Sequence, residues 1–183
     1  MAHTKEHKTG LLGSTYDPAL GGASPPNYAA LGIMDPETPS LFNMSTIPKL
    51  PRGVRNKNPL NIRKANIAWD GKVRGEDREF ETFDSDLMGI RAGAKNSLTH
   101  FRRGLNTVNK LLSTHAPPSE NPTNSFVEFV SDRMGAAPDD VINLEDQGTL
   151  TNYINAVIAF ENDNYSYDME MVRKAIEMAL GRQ

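Results

Sequence analysis

A mostly helical α+β domain, with a small β-hairpin near its start and an extended arm before it, is predicted by three features of this 183-residue chain. Apolar residues recur at helical spacing in successive stretches beyond residue 85. Two β-prone runs around a polar turn come just ahead of them. Residues 1–50, by contrast, hold six of the twelve prolines and five of the fourteen glycines, and no periodic pattern survives there.

The boundary at residue 51 divides an arm, 1–50, from a folded domain, 51–183. Large apolar residues such as Leu11, Tyr16, Tyr28, Ile33 and Phe42 stud the arm, more than a solvated linker needs. Such an arm is expected to lie extended along a partner or along its own domain, the plainer alternative being a disordered tail. In the domain, residues 60–63 suggest a short strand, and 68–73 with 79–83 suggest the hairpin. Asp84 is a suitable N-cap for a helix over about 85–103, striped by Leu87, Ile90, Ala94, Leu98 and Phe101, and Gly104 stops it. A short helix follows at about 107–115, and the Pro-rich stretch 116–122 breaks the chain. Helices are then expected at about 123–134, 146–161 and 168–180, with Met169, Val172, Ile176 and Leu180 inward on the last.

Composition narrows the functional classes. The apolar fraction is 38% and the mean hydropathy −0.52, so part of the chain stays outside any core. No apolar run approaches the roughly 20 residues of a membrane span, and the first residues lack the apolar stretch of a secretory signal. Without cysteine there are neither disulfides nor thiolate metal sites. The four histidines lack ligand spacing, so neither a metal nor another cofactor is expected. Cytoplasmic synthesis fits all of this. Charge is uneven: residues 51–110 carry thirteen Lys/Arg against seven Asp/Glu, for +6, and 111–183 carry four against twelve, for −8. The plainer reading is attraction between the two parts of one fold; the sharper one is a polyanionic partner for the basic part, nucleic acid or the anionic cell wall. Lys57, Arg52, Arg55, Arg63 and Lys64 cluster, but no aromatics interleave them as single-stranded nucleic acid requires.

Two places carry candidate chemistry. The segment Arg52-Gly53-Val54-Arg55-Asn56-Lys57-Asn58-Pro59-Leu60-Asn61-Ile62 is rich in amides and poor in core-forming residues. Amides offer a donor and an acceptor together, which suits sugar hydroxyl and N-acetyl groups. Asn56, Asn58, Asn61 and Arg55 are therefore candidate substrate contacts. The helix at 146–161 supplies the second place. Leu150, Tyr153, Ile154, Val157 and Ile158 form its apolar stripe. At about 100° per residue, Glu161 lies only about 20° from the direction of Leu150. Partial burial and the negative end of the helix dipole both disfavour an anion there, which suits a general acid for glycosidic cleavage. Against this stand a frayed, solvent-facing end and pairing with an arginine.

Weaker candidates are Glu79 and Glu81 on the second hairpin strand, a carboxylate pair of the sort hydrolases use. Surface pairing with Arg74 and Arg78 is their plainer explanation. Trp69, the only tryptophan, suits either stacking on a sugar ring or anchoring a core.

Ordered pieces of the chain resemble a family of phage virion-associated lysozyme-like or transglycosylase-like proteins, with the signature Arg-Gly-Ile-Arg-Asn-Asn-Asn-Pro-Gly-Asn-Ile-Arg. They are residues 51–63, Trp69-Asp70-Gly71, Phe80-Glu81-Thr82-Phe83-Asp84-Ser85, Gly89-Ile90-Arg91-Ala92, Gly104-Leu105-Asn106-Thr107-Val108, residues 116–121 and Phe160-Glu161-Asn162. Bacterial glucosaminidase-type hydrolases are similar, more distantly, around Asn58–Arg63, Trp69–Gly71 and Phe80–Ser85. Their catalytic glutamate ends a helix before this region, whereas residues 38–51 here contain no acid. The resemblance therefore implies a lysozyme-like domain in circularly permuted order, with Glu161 meeting the Asn58/Asn61 loop in space. Leu60 and Asp163 stand where glycines are expected, and Phe160 where a histidine is expected.

The function implied is a virion protein, made in the host cytoplasm, whose domain cleaves the glycan of peptidoglycan during phage entry. Its arm would hold other virion proteins. The alternative is a non-catalytic structural component of capsid, portal or tail that uses the same fold for docking. Nucleic-acid binding through 52–74 ranks third.

Overall fold

Periodic apolar stripes can be satisfied only by packing helix on helix, and the chain does so around one central helix. The structure, a computed structural model, describes residues 49–115 and 123–182. The arm expected over 1–50, apart from Lys49 and Leu50, and the break expected at 116–122 lie outside the described residues. In chain order the elements are α1 (Arg52–Arg55), β1 (Lys72–Val73), β2 (Thr82–Phe83), α2 (Asp86–Arg102), α3 (Val108–His115), α4 (Thr123–Met134), α5 (Gln147–Glu161) and α6 (Met169–Leu180). The protein is thus mostly helical, with one small antiparallel sheet that pairs Lys72 with Phe83 and Val73 with Thr82.

Helix α5 is apolar on nearly every side, from Leu150 through Ala159. It packs against α4, α6 and α2, and α2 also lies along α6. Leu150, Ile154 and Val157 join Ile90, Leu98, Val130, Val172 and Ile176 in the main core, all at most 1% exposed. Met169, expected inward, is 42% exposed at the first position of α6. A smaller cluster of Ile62, Phe83 and Ala92, with Trp69 and Met88 against it, sits under the hairpin.

Several boundaries differ from expectation for local reasons. Ser85, not Asp84, caps α2 by accepting from the Met88 N–H, while Asp84 accepts from the Ser85 hydroxyl at 2.8 Å. Residues 60–63 are not a strand; one bridge joins Arg63 to Phe80. The hairpin strands are shorter than 68–73 and 79–83. The amide-rich segment opens with the unanticipated turn of helix α1 and then enters the core, with Leu60 2% and Ile62 7% exposed. Burying a leucine this fully is worth about 2 kcal/mol.

Close backbone approach fixes the segment in place. A Cβ at Gly89 would run into the Lys57 carbonyl, so the loop lies directly on α2. A Cβ at Gly53 would run into Asn162 Oδ1 and stand 3.0 Å from the Asn58 carbonyl oxygen. Where glycines were expected, Leu60 fills core space beside Gly93, and Asp163 adopts the left-handed conformation with φ 52°. Phe160 stacks on Phe126 with ring centres 4.1 Å apart.

Gly53→Ala is expected to lower stability in chemical denaturation by about 1–3 kcal/mol, because the contacted backbone cannot yield cheaply. Asp163→Gly is expected to raise it by about 0.5–1 kcal/mol, since glycine removes the left-handed penalty.

Candidate functional site

Helix α5 ends at Asn162, whose backbone N–H still donates to the Ile158 carbonyl at 3.1 Å. Asn162, 1% exposed, donates from one amide nitrogen to the Ile158 carbonyl at 2.9 Å and to the Pro59 carbonyl at 2.8 Å. Beside it, Asn61 Nδ2 donates to Glu161 Oε2 at 2.7 Å, joining residues one hundred positions apart. Asn61 sits at φ 47°, a conformation asparagine tolerates better than most residues. Its Oδ1 is buried without a hydrogen-bond donor. The end of α5 and the amide-rich loop therefore meet at a half-buried Glu161.

The other amides of the segment serve the frame. Asn58 is fully buried; its Nδ2 donates to the carbonyls of Ile62 and Glu81, each at 3.0 Å, and its Oδ1 accepts from the Ile62 N–H. Asn56 donates to Asp77 Oδ2 at 2.8 Å. Both were expected to contact substrate, and instead both satisfy groups of the protein. Arg55 donates to the Leu50 carbonyl. Trp69, partly buried, packs against the small cluster under the hairpin, as an anchor would.

Glu79 and Glu81 are not paired with Arg74 and Arg78. Glu79, 61% exposed, lies 3.1 Å from Arg52. Glu81, 1% exposed, accepts from Lys72 at 2.8 Å and from the Ala65 N–H at 3.0 Å.

Sequence reasoning missed two organising residues. Asn162 is one; Asp77 is the other. Asp77 accepts from Arg52 at 2.7 and 2.8 Å, from Asn56, and from the N–H groups of Glu79 and Phe80 at 3.0 Å. Arg52 above all, with Asn56 and the two N–H groups, outweighs burial and holds the Asp77 carboxyl far below the usual carboxylate range. A repeated Asn-x-x-Asn spacing gives no sign of which amide faces a ligand. The turn that gives Asp77 the Glu79 and Phe80 N–H groups is a local pattern open to any Asp, but the convergence of Arg52 and Asn56 on it has no sequence signature.

A further pair lies at the start of α2. Burial pushes the Asp86 carboxyl upward, against the nearby Lys57 charge and Tyr167. Burial first, then the Asp86 charge, pushes the Tyr167 hydroxyl above its ordinary range. Tyr167 Oη nevertheless makes no hydrogen bond of good geometry. Among the described residues, no group of three or more His, Asp or Glu could hold a metal ion. No helix among them is long and apolar enough to cross a membrane. Two open hollows flank the sheet region. One, of about 660 Å³, is bordered by Lys64, Asn66, Lys72, Arg74 and Glu81. The other, of about 430 Å³, is bordered by Arg55, Asn56, Glu76, Asp77 and Thr82. Glu161 and Asn61 line neither.

Fold and site together define a small helical α+β domain in which an interior loop is clamped to the end of its central helix. Protein P5 of Pseudoalteromonas phage PM2 is 33% identical to this chain over 131 residues, covering 69% of the chain and 80% of that protein. The chain belongs to the Protein P5 family, which is thereby a family of bacteriophage proteins. No known family profile matches the chain.

Asp77→Ala is expected to cost about 1–3 kcal/mol in chemical denaturation, by stranding the Asn56 amide and two backbone donors. Because the folded Asp77 carboxyl is depressed, its contribution is complete above the unfolded value of about 3.9 and fades as pH falls below it. The difference between wild type and Asp77→Ala should therefore narrow in acid denaturation below about pH 4. A difference that stays constant through that range would contradict this role.

Proposed function

We propose that this chain is a phage virion protein whose described domain is lysozyme-like, in circularly permuted order, and cleaves the glycan of peptidoglycan during infection. The observation that carries this reading is the 2.7 Å contact of Asn61 with Glu161, which brings the helix-ending acid to the amide-rich loop. Membership in a phage protein family agrees with it. In this mechanism Glu161 gives its proton to the glycosidic oxygen as the bond to the anomeric carbon breaks, and Asn61 keeps the carboxyl aimed. Glu79 and Glu81 are engaged by Arg52 and Lys72, which disfavours a second catalytic carboxylate. A transglycosylase course needs only one. The sugar's own C6 hydroxyl attacks the anomeric carbon, and its proton returns to Glu161. Residues 1–50 attach the domain to other virion proteins.

A second reading is a structural virion component that keeps the fold for docking. Its support is specific: Asn56 and Asn58 satisfy the protein itself, and Glu161 borders neither of the two hollows beside the sheet.

Muropeptide release by the purified full chain separates the two. Glu161→Gln is expected to reduce release by about 10²–10⁴-fold with an unchanged circular dichroism spectrum. Equal release by wild type and Glu161→Gln would remove Glu161 from the chemistry. No release by wild type would leave the structural reading.

A further inference from the structure

The end of α5 carries a second group of side chains beside Glu161, supplied by α4. Phe160 and Asn164 bracket Glu161 in the chain, and each engages a residue of α4. The Phe160 ring meets Phe129 edge to face, with centres 5.4 Å apart. Arg133, one helical turn beyond Phe129, lays its guanidinium over that ring at 4.6 Å. It also donates from Nη2 to Asn164 Oδ1 at 2.8 Å. Asn164 adopts the left-handed conformation, φ 61°, which asparagine accepts more readily than most residues. A ring face and an amide thus restrain this guanidinium on two sides.

Neither contact answers its charge. Arg133 takes part in none of the ion pairs among the described residues, although Asp132 precedes it and Asp163 precedes Asn164. An unrestrained surface arginine gains little from a carboxylate, because holding the long side chain in one geometry costs entropy. Here a stack and a neutral amide already bear that cost, so an arriving carboxylate meets an oriented planar fork. Residues 111–183 carry only four Lys/Arg against twelve Asp/Glu, so a restrained cation is an exception in this part of the domain. Accessibility agrees. Arg133 is exposed, and Phe129, Phe160 and Glu161 are half-buried, so all four present surface to solvent. Three Cα steps separate Glu161 from Asn164, at most about 11 Å, a span within reach of one disaccharide.

Resting on the reading of Glu161 as the acid that meets a glycan, these observations say which glycan suits the surface. A neutral oligomer would lay its C–H faces on Phe129 and Phe160 and leave Arg133 unused. An oligomer with a carboxylate near the cleaved bond would use both. We infer that this surface selects a carboxylate-bearing glycan, with Arg133 as the residue that determines the specificity. Two sources share that chemistry: the lactyl ether acid of a muramic residue, and a free carboxylate of a peptide attached to it.

Calorimetric titration of the full chain carrying Glu161→Gln, so that ligands stay intact, compares three oligomers of equal length. They are N-acetylglucosamine alone, alternating N-acetylglucosamine and N-acetylmuramic acid, and the alternating oligomer with its peptide attached. At least one acidic oligomer should bind about tenfold more tightly than the neutral one. Arg133→Gln should abolish that preference and leave affinity for the neutral oligomer unchanged. Arg133→Lys, which keeps the charge without the planar fork, should restore only part of it. Attaching the peptide consumes the lactyl acid, so tighter binding of the peptide-free acidic oligomer assigns the lactyl source. Tighter binding of the peptide-bearing oligomer assigns the peptide carboxylate. One affinity for all three, or a preference that survives Arg133→Gln, would overturn the inference and leave the role of Glu161 standing. No saturable binding by any oligomer would overturn both.

Discussion

One buried amide ties the two halves of this domain together. Asn162 Nδ2 divides its hydrogens between its own helix, at the Ile158 carbonyl, and the Pro59 carbonyl more than one hundred residues earlier. The Ile158 carbonyl also accepts from the backbone N–H of Asn162 at 3.1 Å, so the side chain matters most at the buried Pro59 carbonyl, where a lost donor costs about 1–3 kcal/mol. The same side chain presses its oxygen against Gly53, the one residue of α1 buried at that contact. Loop position, helix end and the small size of residue 53 are thus one constraint. Glu161 inherits its place from this arrangement, being the residue immediately before the clamp.

The opposite end of the loop is secured in a different way. Asn58 forms a closed set of bonds to residues 62 and 81, and Asp77 gathers Arg52, Asn56 and two backbone donors. Polar groups this fully engaged rigidify a segment that has few apolar residues of its own. A loop locked at both ends holds Asn61 between them without relying on a ligand. That preorganisation is what a site for an orienting hydrogen bond requires.

The helices were legible because their signals are local. Ser, Asp and Gly at the boundaries and apolar residues every three to four positions place α3 to α6 within a residue or two of expectation. The contact of Glu161 with Asn61 was anticipated only through the resemblance to other proteins, which implied that Glu161 meets the Asn58/Asn61 loop; the apolar stripe marked the acid but not its partner. Other features were not legible. Nothing in an amide-rich stretch distinguishes an asparagine that bonds a ligand from one that bonds a backbone carbonyl, so Asn56 and Asn58 read as contacts. The choice between Asp84 and Ser85 as cap turns on one residue of phase. Asp77 escaped notice because the side-chain donors that distinguish it, Arg52 and Asn56, lie more than twenty residues away along the chain. Trp69 was decided by the tertiary position of Ile62 and Phe83, which no local pattern specifies.

Direct engagement of Glu161 by a glycan is the central claim, and side-chain NMR of the full chain measures it without requiring turnover. Titration with an N-acetylglucosamine oligomer should shift the Asn61 Nδ2 protons and the Glu161 carboxyl carbon together, saturably and with one affinity. Saturable binding that leaves both resonances unmoved would contradict it.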